Sequence, residues 1–283
     1  MVTNNSATIP TITSTIAREA DKSVLVSLSV PIGLVEDEIE KVLEQEAKHT
    51  EVAGFRKGMA PKHLVRKNIS EDKLLNMALS SILPKAFSEA VKENKLNIIM
   101  YPKFEISAKK ESVIEVKAVT CEVPEIDLGD YRELIKRNKR ISTDQPTREQ
   151  KDGEIIRILI EKFKNTLLPK VLVSAEVDLK LANLLSRLEK LGLTLESYLQ
   201  STGKTPETLR KEYEEQVRGS LILDFVLSGI SSKENIKIED TEAVSYFKAA
   251  NPNSTSDPNE NQLPIVKQAL KKRKALDILT SLL

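Results

Sequence analysis

Tryptophan is absent from this sequence, cysteine occurs once, and aromatic residues make up only 4%. The lone Cys121 excludes an internal disulfide. With no CxxC and no Cys/His cluster at metal-ligand spacing, a zinc site is excluded as well. So little aromatic bulk argues against one large compact core and for a helix-rich chain with thin cores. Long apolar runs are missing too. None approaches the ~18 residues a membrane span needs, and the best candidate, 221–230, is short and holds Asp224. The N-terminus, MVTNNSATIP, lacks the positive-then-apolar order of a secretion signal. The expectation is a cytoplasmic protein with no membrane partner. Excess charge of one sign is also lacking: 43 Lys and Arg stand against 42 Asp and Glu. Nothing in the whole molecule attracts nucleic acid, so any RNA contact must come from a local patch.

Catalytic signatures are equally scarce. There is no GxSxG, no phosphate-binding GKS/T and no HExxH. Gly203-Lys204-Thr205 looks like the end of a phosphate loop, but the glycine required before it is missing. Thr205 reads instead as a helix cap. His49 and His63 flank a basic segment and read as solvated loop histidines, with RNA contact as the alternative. Cys121 lies in a strand pattern and reads as a small core residue. The chain is therefore expected to bind rather than catalyse, with no cofactor and no metal.

What is present is a chain of 283 residues, 40% apolar and 30% charged, enough for about two domains of ~100–200 residues. Residues 8–31 read as strand material, with Val24, Val26, Leu28 and Val30 at period two. Val35, Ile39, Val42, Leu43 and Ala47 then recur at helical spacing over about 34–48. Ser70 can cap a helix carrying Leu74, Leu75, Ala78, Leu79, Ile82 and Leu83, and Pro84 either kinks it or starts the next. Two strands are expected over 102–108 and 112–122. A stretch of Pro and Gly, 123–131, closes this α+β part. One helix follows at about 147–164, and from Leu167 the pattern is helical nearly throughout. Ser174 is read as a cap, Gly192 as a stop, and Thr205-Pro206 as a start, with proline at the first helical position. Residues 251–263 read as a loop, and Pro264 as the start of the last helix.

One segment carries chemistry. Gly54, Phe55, Arg56, Lys57, Gly58, Met59, Ala60 and Pro61 lie between two expected helices. Over 48–67 six basic residues face the single acid Glu51, a local charge of +5 in a chain of net +1. Glycine and proline restrict the loop and can hold Phe55, Arg56 and Lys57 outward. A guanidinium and an ammonium suit phosphates or carboxylates, and an exposed Phe can stack on a base or fill an apolar notch. The alternative is a tight connection with Phe55 turned into the core and the basic groups merely solvated.

Gly54-Phe55-Arg56-Lys57-Gly58-x-x-Pro61 resembles the ribosome-binding signature of the trigger factor family. Val123-Pro124-Glu125-Ile126-Asp127-Leu128-Gly129-Asp130-Tyr131 resembles the end of that family's N-terminal domain. The run from Leu191 to Thr205, and the last residues from Lys272, resemble its C-terminal domain. The resemblance implies an α+β N-terminal domain followed by an elongated all-α C-terminal domain with arm-like helices. The expected division is a ribosome-binding domain at 1–131, a linker with one helix at 132–165, and a client-binding domain at 166–283. The implied function is an ATP-independent chaperone that docks at the exit site of the large ribosomal subunit, on ribosomal protein and RNA, and holds unfolded nascent polypeptides. Gly54, Phe55, Arg56, Lys57, Gly58 and Pro61 would carry the docking. Met59 departs from the family, which often has a basic residue there. The family's FKBP-like prolyl-isomerase domain has no room: only 35 residues, 132–166, separate the two parts, below the ~40 that usually hold a core unaided. A ribosome- or RNA-associated factor without chaperone activity, and an off-ribosome holdase acting as a homodimer, are the rival readings.

Overall fold

The computed structural model describes residues 11–49, 55, 58, 59, 61–138, 146–251 and 257–283. It divides into two compact units, Met1–Val123 and Pro124–Leu283.

The first unit is a four-stranded antiparallel sheet with helices on one face. Its strands β1 (Thr13–Arg18), β2 (Ser23–Pro31), β3 (Lys103–Lys109) and β4 (Val113–Cys121) lie in the order β1-β2-β4-β3. Of the strand material read over 8–31, positions 8–10 lie outside the described residues and the rest forms the hairpin of β1 and β2, turned where Lys22 takes a positive φ of 69°. In the middle of the sheet Val26 pairs with Ala118, Leu28 with Val116 and Val30 with Ile114. All six are buried, because alternate residues of paired strands share a face. Onto that face pack α1 (Ile32–His49), through Val35, Ile39, Val42 and Leu43, and α3 (Glu71–Glu93), through Leu74, Ala78, Leu83 and Phe87. Ser70 caps α3, its hydroxyl accepting from the Lys73 amide. The helix runs on through Pro84 rather than ending there, since Leu83, Ala86 and Phe87 on both sides of the proline bury against the same core. Between α1 and α3 sits the short helix α2 (Lys62–Lys67), anchored by the buried Val65. Cys121 is fully buried, and burial pushes its thiol up to about 11, Asp21 adding to the effect. It is inert packing, as its place in a strand suggests.

The second unit is helical: α4 (Tyr131–Asn138), α5 (Arg148–Phe163), α6 (Lys170–Lys190), α7 (Leu195–Thr202), α8 (Pro206–Lys233), α9 (Asp240–Ala250) and α10 (Gln262–Thr280). Helix α8 is its axis and contacts α5, α6 and α10. The start read at Thr205-Pro206 is present as a capping box between Thr205 and Thr208. Gly192, past the end of α6, has φ +68°, the left-handed turn that glycine adopts without strain. Ser174 is not a cap: α6 begins four residues earlier, behind Pro169, and runs straight through it. Helix α10 likewise begins at Gln262, ahead of Pro264, which falls within the first turn where a missing amide costs nothing.

The chain from 124 to 138 belongs to this second unit. Tyr131 is buried, and its hydroxyl donates to Glu234 at the end of α8. One Arg132 amino group reaches both Glu234 oxygens, at 2.7 and 2.8 Å. The Lys233 ammonium lies 5.1 Å from the centre of the Tyr131 ring and donates to the Gly129 carbonyl at 3.2 Å. Hydrogen bonds from Arg132 and then Tyr131 hold the Glu234 carboxyl below its usual range. Leu128 packs on Gly229 of α8, where a Cβ would stand 3.2 Å from its Cδ1. Helix α5, read from sequence as a linker helix, buries Ile155, Ile158, Leu159 and Phe163 in one core with Val226 and Ile230 of α8 and Leu279 of α10.

That placement has a measurable consequence. Ile155→Ala should destabilise the second unit by about 2–5 kcal/mol, the cost of emptying a core position, and leave unfolding of the first unit unchanged. Denaturant unfolding followed by site-resolved hydrogen exchange reads both. A change below ~0.5 kcal/mol would mean that α5 is a solvated linker after all.

Candidate functional site: the loop between α1 and α2

The basic segment lies between α1 and α2 in the first unit. Gly54, Arg56, Lys57 and Ala60 lie outside the described residues. Of the others, Phe55 is 43% exposed and Met59 72% exposed, and Gly58 and Pro61 are exposed as well. The loop has a definite anchor at each end. Gly58 has φ +84°, and a Cβ there would stand 3.3 Å from the Lys48 carbonyl of α1, so the return of the chain over the end of α1 needs both the left-handed backbone and the missing side chain. Pro61 takes an extended backbone just before α2, and its carbonyl accepts from the amides of Leu64 at 3.0 Å and Val65 at 3.3 Å. Val65 then locks the turn into the core. Phe55 therefore presents close to half of its surface from a loop closed by glycine and proline.

Charge is distributed differently from a count along the chain. Lys62 forms an ion pair with Glu44 of α1, and Arg66 lies 3.6 Å from Glu40 of α1 and 3.3 Å from Glu71 of α3. Lys62, hydrogen-bonded to Glu44, holds that carboxyl below its usual range. Two of the six cations counted over 48–67 are thus matched by acids outside the window. Their signal in the sequence was the spacing of Glu40 and Glu44, four residues apart on one helix face. Exposed ion pairs of this kind add little stability. Their effect is to cut the field that the loop projects and to leave it to fewer basic groups. Lys48 and His49 occupy the last turn of α1, where the helix dipole favours a cation. Both histidines are exposed, and both sit in helices rather than in a loop: His49 ends α1 and His63 is in α2. Among the described residues no group of three or more His, Cys, Asp or Glu could hold a metal ion, and no helix is long and apolar enough to cross a membrane.

The second unit has its own surface feature. Helix α7 buries none of its residues, and α6 buries none between 178 and 187. Leu179, Leu185, Leu191, Leu193, Tyr246 and Ile265 are exposed, Leu191 by 72%. Leu188 of α6 and Val226 and Leu227 of α8, by contrast, are buried.

A sheet-and-helix unit followed by a wholly helical one is an arrangement with a solved counterpart. A structure reported as "Promiscuous Substrate Recognition in Folding and Assembly Activities of the Trigger Factor Chaperone" superimposes with a TM-score of 0.59, covering 95% of this chain and 99% of that one, at 14% identity. At that identity the likeness is one of fold. The sequence fixes the family: the model of the bacterial trigger factor protein matches residues 12–155, and that of its C-terminus matches 127–281. The chain belongs to the bacterial trigger factor family. Among curated relatives, the trigger factor of Lactiplantibacillus plantarum is 30% identical over 130 residues, 43% of this chain and 30% of that protein. That of Streptococcus pneumoniae is 29% identical over 164 residues, 57% of this chain and 36% of that protein. The chain thus matches about a third of the length of these relatives.

Proposed function

We propose that this protein is an ATP-independent chaperone that docks beside the exit of the large ribosomal subunit and holds nascent chains in the cytoplasm, without prolyl-isomerase activity. The observation that carries the reading is the loop of Phe55 to Pro61: an aromatic side chain held partly exposed by a glycine–proline frame, in a family member. Phe55 offers an apolar plug, and Arg56 and Lys57 beside it in sequence offer donors for phosphate or carboxylate. Such a pair of chemistries suits a surface where protein meets RNA. Release of clients needs no nucleotide, because many shallow apolar contacts of ~25 cal/mol per Å² are each weak.

Support for the missing isomerase comes from residues 132–166, the 35 positions between the two parts read from the sequence. They hold α4 and α5, whose buried residues are committed to the core around α8. Among the described residues, all four strands precede Val123, and an FKBP-like half-barrel needs a sheet of its own.

Two outcomes are expected. Phe55→Ala with Arg56→Ala and Lys57→Ala should abolish co-sedimentation with ribosomes while circular dichroism stays unchanged, and binding of the unsubstituted protein should weaken as salt rises. A triple variant that pellets as well as the parent would remove the docking assignment. In a protease-coupled assay on a proline peptide, only the slow uncatalysed phase of tens of seconds or more should appear. A rate rising in proportion to purified protein would contradict the lack of isomerase activity.

A further inference from the structure

A groove runs along the sheet edge of the first unit, between α3 and the chain that leads into β3. Two adjoining cavities of about 390 and 420 Å³ make it up, sharing Pro84, Tyr101 and Phe104. The rings of Phe87 and Phe104 meet edge-on at 6.0 Å beneath it. Ile98 and Met100 wall one end, and Ile106 the other. Among the described residues no charged side chain lines either cavity; the polar groups are Ser88, Ser80 and Asn76. Tyr101 stands 74% exposed above the groove, with Ile99 and Ile106 each 39% exposed beside it. Single exposed apolar residues are ordinary. A continuous uncharged apolar groove on a chain that is 30% charged is not.

Its position adds a second property. β3 is an edge strand: β4 lies on one side, and among the described residues no strand lies on the other. Phe104 and Ile106 alternate along it and line the groove, while Lys103 before them and Glu105 between them belong to the opposite face. An edge strand can receive another extended chain through backbone hydrogen bonds, with adjoining pockets taking alternate side chains.

We infer that this groove binds an extended, uncharged, apolar segment of an unfolded polypeptide. The inference rests on the chaperone reading and places an additional client site in the first unit. Charge selects the occupant: a carboxylate or ammonium entering here would lose its water and meet no counter-charge. Size agrees, since each cavity is in the range that takes one or two large side chains. The chemistry of the lining agrees as well. Phe, Pro, Ile and a flexible Met give contacts that fit many apolar sequences rather than one.

The test uses the full chain with p-benzoylphenylalanine at position 101 in place of Tyr101, and a second sample with it in place of Tyr246, an exposed aromatic of the second unit. Each is irradiated with a labelled ten-residue peptide of Leu, Val and Phe interspersed with Ser and Gln, or with a peptide of the same length carrying Asp and Lys at every third position. Position 101 should capture the uncharged peptide at least about fivefold better than the charged one. Ser88→Asp, or Ile99→Asp, each checked for fold by circular dichroism, should reduce that capture about tenfold and leave capture at 246 unchanged. Equal capture of both peptides at 101, or capture only of a second copy of the chain, would overturn the inference. Capture at 246 with none at 101 would overturn it and leave the chaperone reading standing. Capture at neither position, with no suppression of client aggregation, would remove both.

Discussion

One buried stripe of α8, formed by Val217, Ile222, Val226 and Ile230, is what the second unit is built around. Packing against it gathers α5, α6 and α10 into one core and leaves little apolar surface within that core unsatisfied. The far end of the same helix does something else. Glu234 takes hydrogen bonds from Tyr131 and Arg132, and Gly229 lets Leu128 approach, so the chain arriving from the first unit is tied to α8 before α5 begins. Among the described residues of 124–165, Tyr131, Ile135, Ile155, Ile158, Leu159 and Phe163 are buried in the core that α8 shares.

The core around α8 does not use all the leucines of the unit. Helix α7 and the middle of α6 bury almost nothing, and α9 with α10 adds only a small satellite of Ile238, Ala243 and Leu270. Leu179 and Leu185 consequently face water on α6, and Leu191 and Leu193 do so in the connection from α6 to α7. A protein gains no stability from such residues. In the proposed function they form a dispersed adhesive surface on which no single contact dominates, and weak multivalent contact of that kind would let go of a client without spending ATP.

Much of this was readable in advance, and the failures have a common cause. Period-two Val and Leu in β2 and helical spacing in α1 fixed those elements, because burial of one face dictates both patterns. The Ser70 and Thr205 caps were readable because capping is local chemistry. Helix α4 was not foreseen, since Tyr131 is held by Glu234, a partner more than a hundred positions away. Pro84 was ambiguous because a proline ends a helix on local grounds, and only the shared core on both sides of it keeps α3 whole. At the candidate site the exposure of Phe55 and the need for glycine at 58 agree with the motif. The pairing of Lys62 and Arg66 with Glu44 and Glu40 escaped the local charge count, because those acids reach the loop from α1 only once it has folded. The groove beside β3 was invisible for the same reason: Phe87 and Phe104 come together across the fold.

The central claim is that surface left unburied by this fold holds unfolded chains. Its most direct measurement is light scattering from a denatured model protein diluted into buffer without nucleotide, with and without a several-fold excess of the full chain. Suppression of scattering, growing with the ratio of this protein to client and unaffected by added ATP, is the result the account predicts. Scattering unchanged at several-fold excess of well-folded protein would contradict it and favour a ribosome- or RNA-associated factor without chaperone activity.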